Sequence, residues 1–354
     1  MVLPGITQIR EAIDLELLKF TRARSSELRE IDSHLAPVAE ALSEFITDGG
    51  KRFRPIFAYL GYLGAGSTPN QSALTACAAL ELVHVCALIH DDVMDGSDSR
   101  RNKPALHKQF EELHKMNGYK GDKEKFGVAA AILLGDLALS WSDQMISESG
   151  IASQDSSRAA PLFHEMRAEL MAGQYLDVLE GSIGEFNLER SRKIARFKSG
   201  KYSIERPLQF GAALANDDRE LRKVFSDYGL PLGEAFQLRD DILGVFGDSA
   251  VTGKPSGDDI REGKRTVLMA LTSSRLSAAD HLKLAQALGN SNLDNSQVAQ
   301  IQHLVKDCGA LAECEELIED LLQQALNSLK HPSLNKDVAD HLRGMAIAAT
   351  NRKS

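Results

Sequence analysis

An apolar run from Ala78 to Ile89, interrupted only by Glu81 and His84, passes directly into His90-Asp91-Asp92-Val93-Met94-Asp95. Such a run reads as buried helix, so other helices must surround it. Asp91 and Asp95 are four residues apart, which on a helix stacks their carboxylates on one face, one turn apart. Like charges at that spacing repel, so a cation is expected between them. Hard oxygen donors with no soft partner suit Mg²⁺, which keeps several waters and shares one or two carboxylates with substrate phosphates. Asp92 points about 100° away and is expected to support the ligands rather than join them. A solvated acidic helix end would carry the same residues, so the rest of the chain must decide.

The other periodic segments also read as helix. Ile9 to Arg22 and Leu35 to Ile46 are amphipathic, the second closed by Gly49-Gly50, and Arg54-Pro55 opens a helix through Leu63. Thr68 is the expected N-cap of the helix that runs to Asp95, with Gly96 to Pro104 and Asn117 to Lys125 as polar loops. Helices are expected over Phe126 to Ser147, Ser157 to Leu179, Leu188 to Ala215 with a break at Pro207, and Asp218 to Gly244. Asp248 to Lys264, Gly-rich and poor in apolar residues, reads as a mobile lid. Thr266 to Arg275, Asp280 to Leu288, Asn295 to Cys308 and Leu311 to Leu329 complete a helical C-terminal part. No strand alternation appears, so the expected class is all-α.

Composition narrows the function classes. A net charge of −9 argues against nucleic acid or an acidic membrane surface as the main partner, so any basic site must be local. Cys77, Cys86, Cys308 and Cys314 lack metal or redox spacing and read as buried thiols of a reducing compartment. Charges interrupt the N-terminal segment, no secretory signal is visible, and no uninterrupted apolar stretch approaches the ~20 residues of a membrane span. A cytoplasmic protein is expected.

A second acidic pair, Asp240-Asp241, follows Gln237 and closes another apolar segment, but Gly244 stands where a stacked third acid would be. Two such pairs across a helical cavity could gather divalent ions around one diphosphate. Local basic clusters are present in Gly49-Gly50-Lys51-Arg52-Phe53-Arg54-Pro55 and in Arg100-Arg101. Lys51 and Arg54, three apart at a helix start, can reach one anion, and the double arginine can grip a diphosphate by fork-like hydrogen bonds. On the residues alone His84, on an apolar helix, reads as a satisfied core histidine. Gln174 and Asp177, inside an apolar helix, must be paired or line a polar cavity. Gly247 to Pro255 contains Gly-Lys but lacks the spacing of a nucleotide-phosphate loop.

Together these stretches resemble the trans-isoprenyl diphosphate synthases, especially bacterial geranylgeranyl diphosphate synthases. The resemblance is carried by Gly49 to Pro55, Glu81-Leu82-Val83-His84, His90 to Asp95 with Arg100-Arg101, Gly135-Asp136, Gly173 to Asp177, Phe236 to Asp241, and Gly253 to Asp259 with Gly263 to Thr266. It covers residues 35–271, followed by a generic helical part, residues 272–354. It implies one domain over residues 1–354, antiparallel helices around a deep central cavity with aspartates at its mouth, and a homodimer. It implies that Lys51, Arg54, His84 and Arg101 take isopentenyl diphosphate. Asp91, Asp95 and Asp240 would hold Mg²⁺ ions, about three per site, on the allylic diphosphate, helped by Arg100, Lys198, Lys254 and Lys264. Lys198-Ser199 departs from the family's Lys-Thr, Asn102 from its Gly after the double arginine, and Gly244 from its third acid. Asp241 and Gly244 are therefore the least secure transfers.

The implied chemistry is ionisation of an allylic C–O bond as metal and cationic side chains neutralise the leaving diphosphate. A dry apolar cavity would keep water from the carbocation. Gln237, Ser199 and Lys198 would stabilise positive charge or orient the leaving group. The double bond of isopentenyl diphosphate then attacks, and a proton is lost. Product length should depend on what lies beneath Asp91: Ala87 and Cys86, both small, with Val83 one turn deeper. With no Phe or Tyr there, elongation past fifteen carbons is expected, twenty being favoured over farnesyl or longer products. A terpene cyclase would not need the second cationic pocket, and a non-catalytic subunit would not need the aspartates.

Overall fold

The computed structural model describes residues 3–247 and 256–351. In chain order the helices are α1 (Ile6–Ile31), α2 (Ala36–Thr47), α3 (Phe53–Gly64), α4 (Gln71–Met94), α5 (Leu106–Met116), α6 (Lys123–Glu148), α7 (Ser153–Ile183) and α8 (Leu188–Ile194). A π-helical stretch, Ala195–Glu205, leads into α9 (Arg206–Ala215), then α10 (Arg219–Phe246), α11 (Asp258–Glu262), α12 (Val267–Arg275), α13 (Ala278–Ala287), α14 (Asn295–Asp307), α15 (Ala310–Ser328) and α16 (Lys336–Thr350). Two-residue strands β1 (Ser99–Arg100) and β2 (Lys103–Pro104) pair antiparallel in the loop after α4, a small hairpin where the sequence suggested only loop. The class is all-α. Two compact units are formed, one by residues 1–160 and 210–218, the other by residues 161–209 and 219–354.

In the first unit α4 is the central helix and packs on α1, α3 and α6. Leu80, Leu82, Val83, Val85, Cys86 and Ile89 are buried around its circumference, as its apolar run requires. Its N-cap is Asn70 rather than Thr68: the Asn70 carboxamide accepts from the Ala73 N–H at 3.0 Å. Helix α1 runs nine residues past the predicted Arg22 because its polar residues are buried there with partners. The Arg24 guanidinium lies over the Phe20 ring and donates to Glu148 at 2.9 Å. By length and hydropathy α4 and α6 could each cross a membrane, which counting uninterrupted apolar residues did not reveal; the apolar window of α4 is 72% buried, as in a core helix.

In the second unit α10 packs on the π-helical stretch and on α15. A side chain at Gly233 would overlap the Gly200 backbone, so glycine at both positions permits the π-helical contact. The chain does not break at Pro207: the π-helical stretch runs on into α9, which contains it. Leu238, Ile242 and Val245 of α10 join Leu268, Cys314 and Ile318 in the core. Ile260 belongs to it as well, fully buried, and Arg261 Nη1 donates to the Ser256 carbonyl at 2.8 Å. The described part of the expected lid, residues 256–264, is therefore anchored rather than mobile, and residues 248–255 lie outside the described chain. Helix α16 lies beyond the last helix read from the sequence.

Candidate active site

In the first unit a glycine sets where the acidic helix ends. Gly96 takes φ 66°, and the Ser97 N–H donates to the Asp92 carbonyl at 3.0 Å, stopping α4 with Asp95 as its C-cap. Asp91 and Asp95 stay one turn apart, as the spacing predicted. Asp92 is buried, and the Arg100 Nε donates to both its oxygens at 2.8 Å. Nη2 of Arg100 lies 3.5 Å from Asp91. Burial would lower the Arg100 pKa, but the Asp92 hydrogen bond and the charges of Asp92, Asp91 and Asp95 prevail and raise it. Asp92 thus supports the motif by holding Arg100.

Arg100 reaches back because Arg101 (φ 53°) and Asn102 (φ 60°) form the two-residue left-handed turn between β1 and β2. Asn102 suits that turn in place of glycine. Arg101 Nη1 donates to the Asp48 carbonyl at 3.3 Å, and Lys103 meets Glu44 at 2.7 Å and Asp48 at 3.0 Å, so the hairpin grips the loop that leads to Lys51. Lys51 is exposed and Arg54 half-buried. His84 is held well below its ordinary pKa by burial and by the charges of Arg54, Arg101, Arg100 and Arg52. Of these four, Arg52 and Arg100 are held by carboxylates, those of Glu81 and Asp92. Lys51, Arg54, His84 and Arg101 belong to one unit, and the last three are electrostatically linked.

Of the residues read as setting product length, Val83 and Cys86 are buried and Ala87 half-buried. Cys86 Sγ lies 3.7 Å from His90 Nδ1, and its thiol is pushed up to about 12 by burial and the Asp136 charge. His90 Nε2 sits 3.0 Å from the Ile132 carbonyl of α6, an approach possible because Gly135 has no side chain.

The second unit holds the other acidic motif. Lys198 donates to Asp177 at 2.6 Å, and Gly173 lets the Lys198 backbone pass close to α7. Ser199 donates to the Gln237 carbonyl, and the Gln237 amide donates to Asp241 at 2.7 Å. The Gln237 dipole is thus already oriented by Ser199. Asp240 and Gln174 are half-buried, whereas Asp241 is buried. Burial pushes Asp241 up to about 8, the Gln237 hydrogen bond opposes this, and the charges of Asp259, Asp240 and Asp177 add to it.

Gly244 is explained by Asp259. A Cβ at position 244 would overlap the Asp259 carboxylate, so an acid from α11 occupies the space beside the position where α10 has glycine. Lys264 lies 2.6 Å from Glu262 and 3.7 Å from Asp259, and Lys254 lies outside the described residues. Sequence reasoning gave no role to Asp259 or Arg52; the unfilled third-acid position was the only signal for the former.

Among the described residues no three His, Cys, Asp or Glu side chains converge into a preformed metal cage. Stacked carboxylates without a cage fit a cation that keeps waters and takes further oxygens from a phosphate substrate. The sequence matches the polyprenyl synthetase family over residues 36–305. It is 33% identical over 288 residues to farnesyl diphosphate synthase of Geobacillus stearothermophilus, covering 76% of this chain and 88% of that one. It is 29% identical over 311 residues to geranylgeranyl diphosphate synthase of Sulfolobus acidocaldarius, covering 87% and 88%. The structure of a geranylgeranyl pyrophosphate synthase from Corynebacterium glutamicum, complexed with isoprenyl diphosphate and magnesium, superposes with a TM-score of 0.95 at 38% identity over 99% of this chain and 100% of that one. The acidic motifs, the basic residues near His84 and these likenesses agree: the chain belongs to the polyprenyl synthetase family and is a prenyl diphosphate synthase.

Proposed function

We propose that this enzyme joins isopentenyl diphosphate head-to-tail to dimethylallyl, geranyl and farnesyl diphosphates and releases all-trans geranylgeranyl diphosphate. The observation that carries the reading is a basic cluster, Lys51, Arg54 and Arg101, in the same unit as the Asp91/Asp95 motif, in a chain of the polyprenyl synthetase family. A second diphosphate pocket is what chain elongation needs and an intramolecular cyclisation does not. In this reading Lys51, Arg54, His84 and Arg101 bind isopentenyl diphosphate, and Asp91, Asp95 and Asp240 hold Mg²⁺ on the allylic diphosphate. Bound Mg²⁺ would neutralise the leaving diphosphate. Lys198, kept in place by Asp177, and Lys264 add positive charge. Gln237, oriented by Ser199, presents its dipole to developing charge. The magnesium and isoprenyl diphosphate in the similar Corynebacterium structure support this assignment. Radiolabelled isopentenyl diphosphate offered with each allylic primer, followed by chromatography of the dephosphorylated products, tests it; a cyclic hydrocarbon or no elongation would refute it.

For product length the reading rests on Ala87. Each isoprene unit adds nearly one helical turn, about 5.4 Å. Ala87→Phe should fill one unit's depth and move the product from twenty toward fifteen carbons, with turnover of the first primer retained. An unchanged product profile would show that the tail does not run along α4. We also read the chain as one catalytic domain, since α7 and α9 each continue through a change of unit. We read it further as a cytoplasmic homodimer, supported by the exposed Phe126, Ile132 and Leu133 of α6. Leu133→Glu, followed by light scattering, should convert a dimer to a monomer.

A further inference from the structure

Among the described residues only three other than glycine have positive φ: Arg52 (49°), Arg101 (53°) and Asn102 (60°). Arg101 and Asn102 form the hairpin turn. Arg52 is different, being the N-cap of α3 with no turn to explain it, flanked by Lys51 and followed two residues later by Arg54. Backbone held in this region persists only where surrounding contacts over-determine it. Here they do. The Arg52 side chain is 1% exposed, and each guanidinium nitrogen has its own partner. Nε donates to Asp14 of α1 at 2.8 Å, Nη1 to Glu81 of α4 at 2.7 Å, and Nη2 to the Ile46 carbonyl of α2 at 2.8 Å. One side chain therefore ties three helices to the start of a fourth. Lysine could not replace it, because a single ammonium cannot offer donors along a planar fork. Glu81 lies three residues before His84, on the same face of α4.

Such a buried pair is weak as a source of stability, and its best use is to specify one arrangement. With all its nitrogens engaged inside the protein, Arg52 is not placed to touch substrate. We propose that Arg52 is a positioning residue for the isopentenyl diphosphate pocket: tied to Asp14, Glu81 and Ile46, it holds the strained backbone from which Lys51 and Arg54 project. This rests on the reading that Lys51 and Arg54 bind that substrate.

The test is steady-state kinetics of the full-length enzyme, with each substrate varied at saturating levels of the other. Arg52→Gly keeps the left-handed backbone accessible but removes the tie, and should raise KM for isopentenyl diphosphate about tenfold while leaving KM for the allylic primer within about twofold. Asp14→Asn, at the partly exposed partner, should do the same to a smaller extent. Added to Lys51→Ala/Arg54→Ala, Arg52→Gly should cost less than about twofold more, because it acts through those residues. Equal rises in both KM values, or fold-changes that simply multiply in the combined variant, would overturn the proposal. If Lys51→Ala/Arg54→Ala leaves isopentenyl KM unchanged, the pocket reading is what fails. If that variant raises KM and Arg52→Gly and Asp14→Asn do not, the positioning role fails alone. Should Arg52→Gly not fold, Asp14→Asn decides: a selective rise supports the role, and no change overturns it.

Discussion

The two acidic motifs are built on opposite electrostatic plans. In the first, the second aspartate is a buried anion already matched: Asp92 takes both oxygens' hydrogen bonds from Arg100 Nε. In the second, the corresponding Asp241 is equally buried but has Asp259, Asp240 and Asp177 as charged neighbours, accepts from the Gln237 amide, and is pushed up to about 8. At Asp92 the matching charge is an arginine bonded to it, whereas the lysines of the second motif, Lys198 and Lys264, reach Asp177 and Asp259. Similar letters in the sequence therefore describe an aspartate paired with an arginine and one with acids for neighbours.

The largest expected effect tests whether both plans serve the same chemistry. Asp91→Ala, Asp95→Ala and Asp240→Ala should each reduce Mg²⁺-dependent product formation by about 10²- to 10³-fold or more, with circular dichroism and Tm near the parent's. A ligand variant of one motif with full activity would separate the two motifs in function. Next comes Gly244→Asp. Restoring the formally missing acid should lower activity about tenfold, because the new side chain must displace the Asp259 carboxylate. Asp259→Ala in the same chain should recover part of the loss, whereas improved activity from Gly244→Asp alone would show that the two carboxylates do not compete for that space.

Much of this was legible in the sequence, for physical reasons that differ by residue. The helix ending at Asp95 could be read because an apolar run, an acidic spacing and Gly96 all point to one stop. The class followed from the same periodicity. Val83, Cys86 and Ala87 could be placed on α4 by counting turns, and the Cys86 contact with His90 one turn on follows from the same spacing. Arg52 could not be read: in sequence it is one of three basic residues, and only burial distinguishes it from Lys51 and Arg54. Nor could Asp259, since its carboxylate reaches Gly244 from another helix. The segment expected as a lid looked loose because its composition is polar, yet Ile260 of its described part is buried in the core and Arg261 bonds the Ser256 carbonyl.

The finest test applies one substitution, aspartate to asparagine, at the second aspartate of each motif in metal-free protein. Asp92→Asn removes the charge that matches a buried guanidinium, and breaking such a pair costs about 3–5 kcal/mol. Its Tm should fall at pH 7 by several degrees. Asp241→Asn should act in the opposite direction. The folded pKa near 8 exceeds the ordinary value of 3.8, so between those values the unfolded chain ionises this carboxyl while the folded protein keeps the proton. Folding takes up a proton across that window. The stability associated with Asp241 is therefore fully present below the lower value and is lost as pH rises through the upper one. Asparagine cannot ionise, so the variant's Tm should equal the parent's near pH 4 and exceed it increasingly toward pH 8. Mg²⁺ should narrow the difference, since a cation stabilises the aspartate anion and gives the amide less. A Tm series of both variants against pH, with and without Mg²⁺, reads all of this directly. If Asp241→Asn destabilises at pH 7 as Asp92→Asn does, Asp241 is charged and matched after all, and the two motifs share one plan.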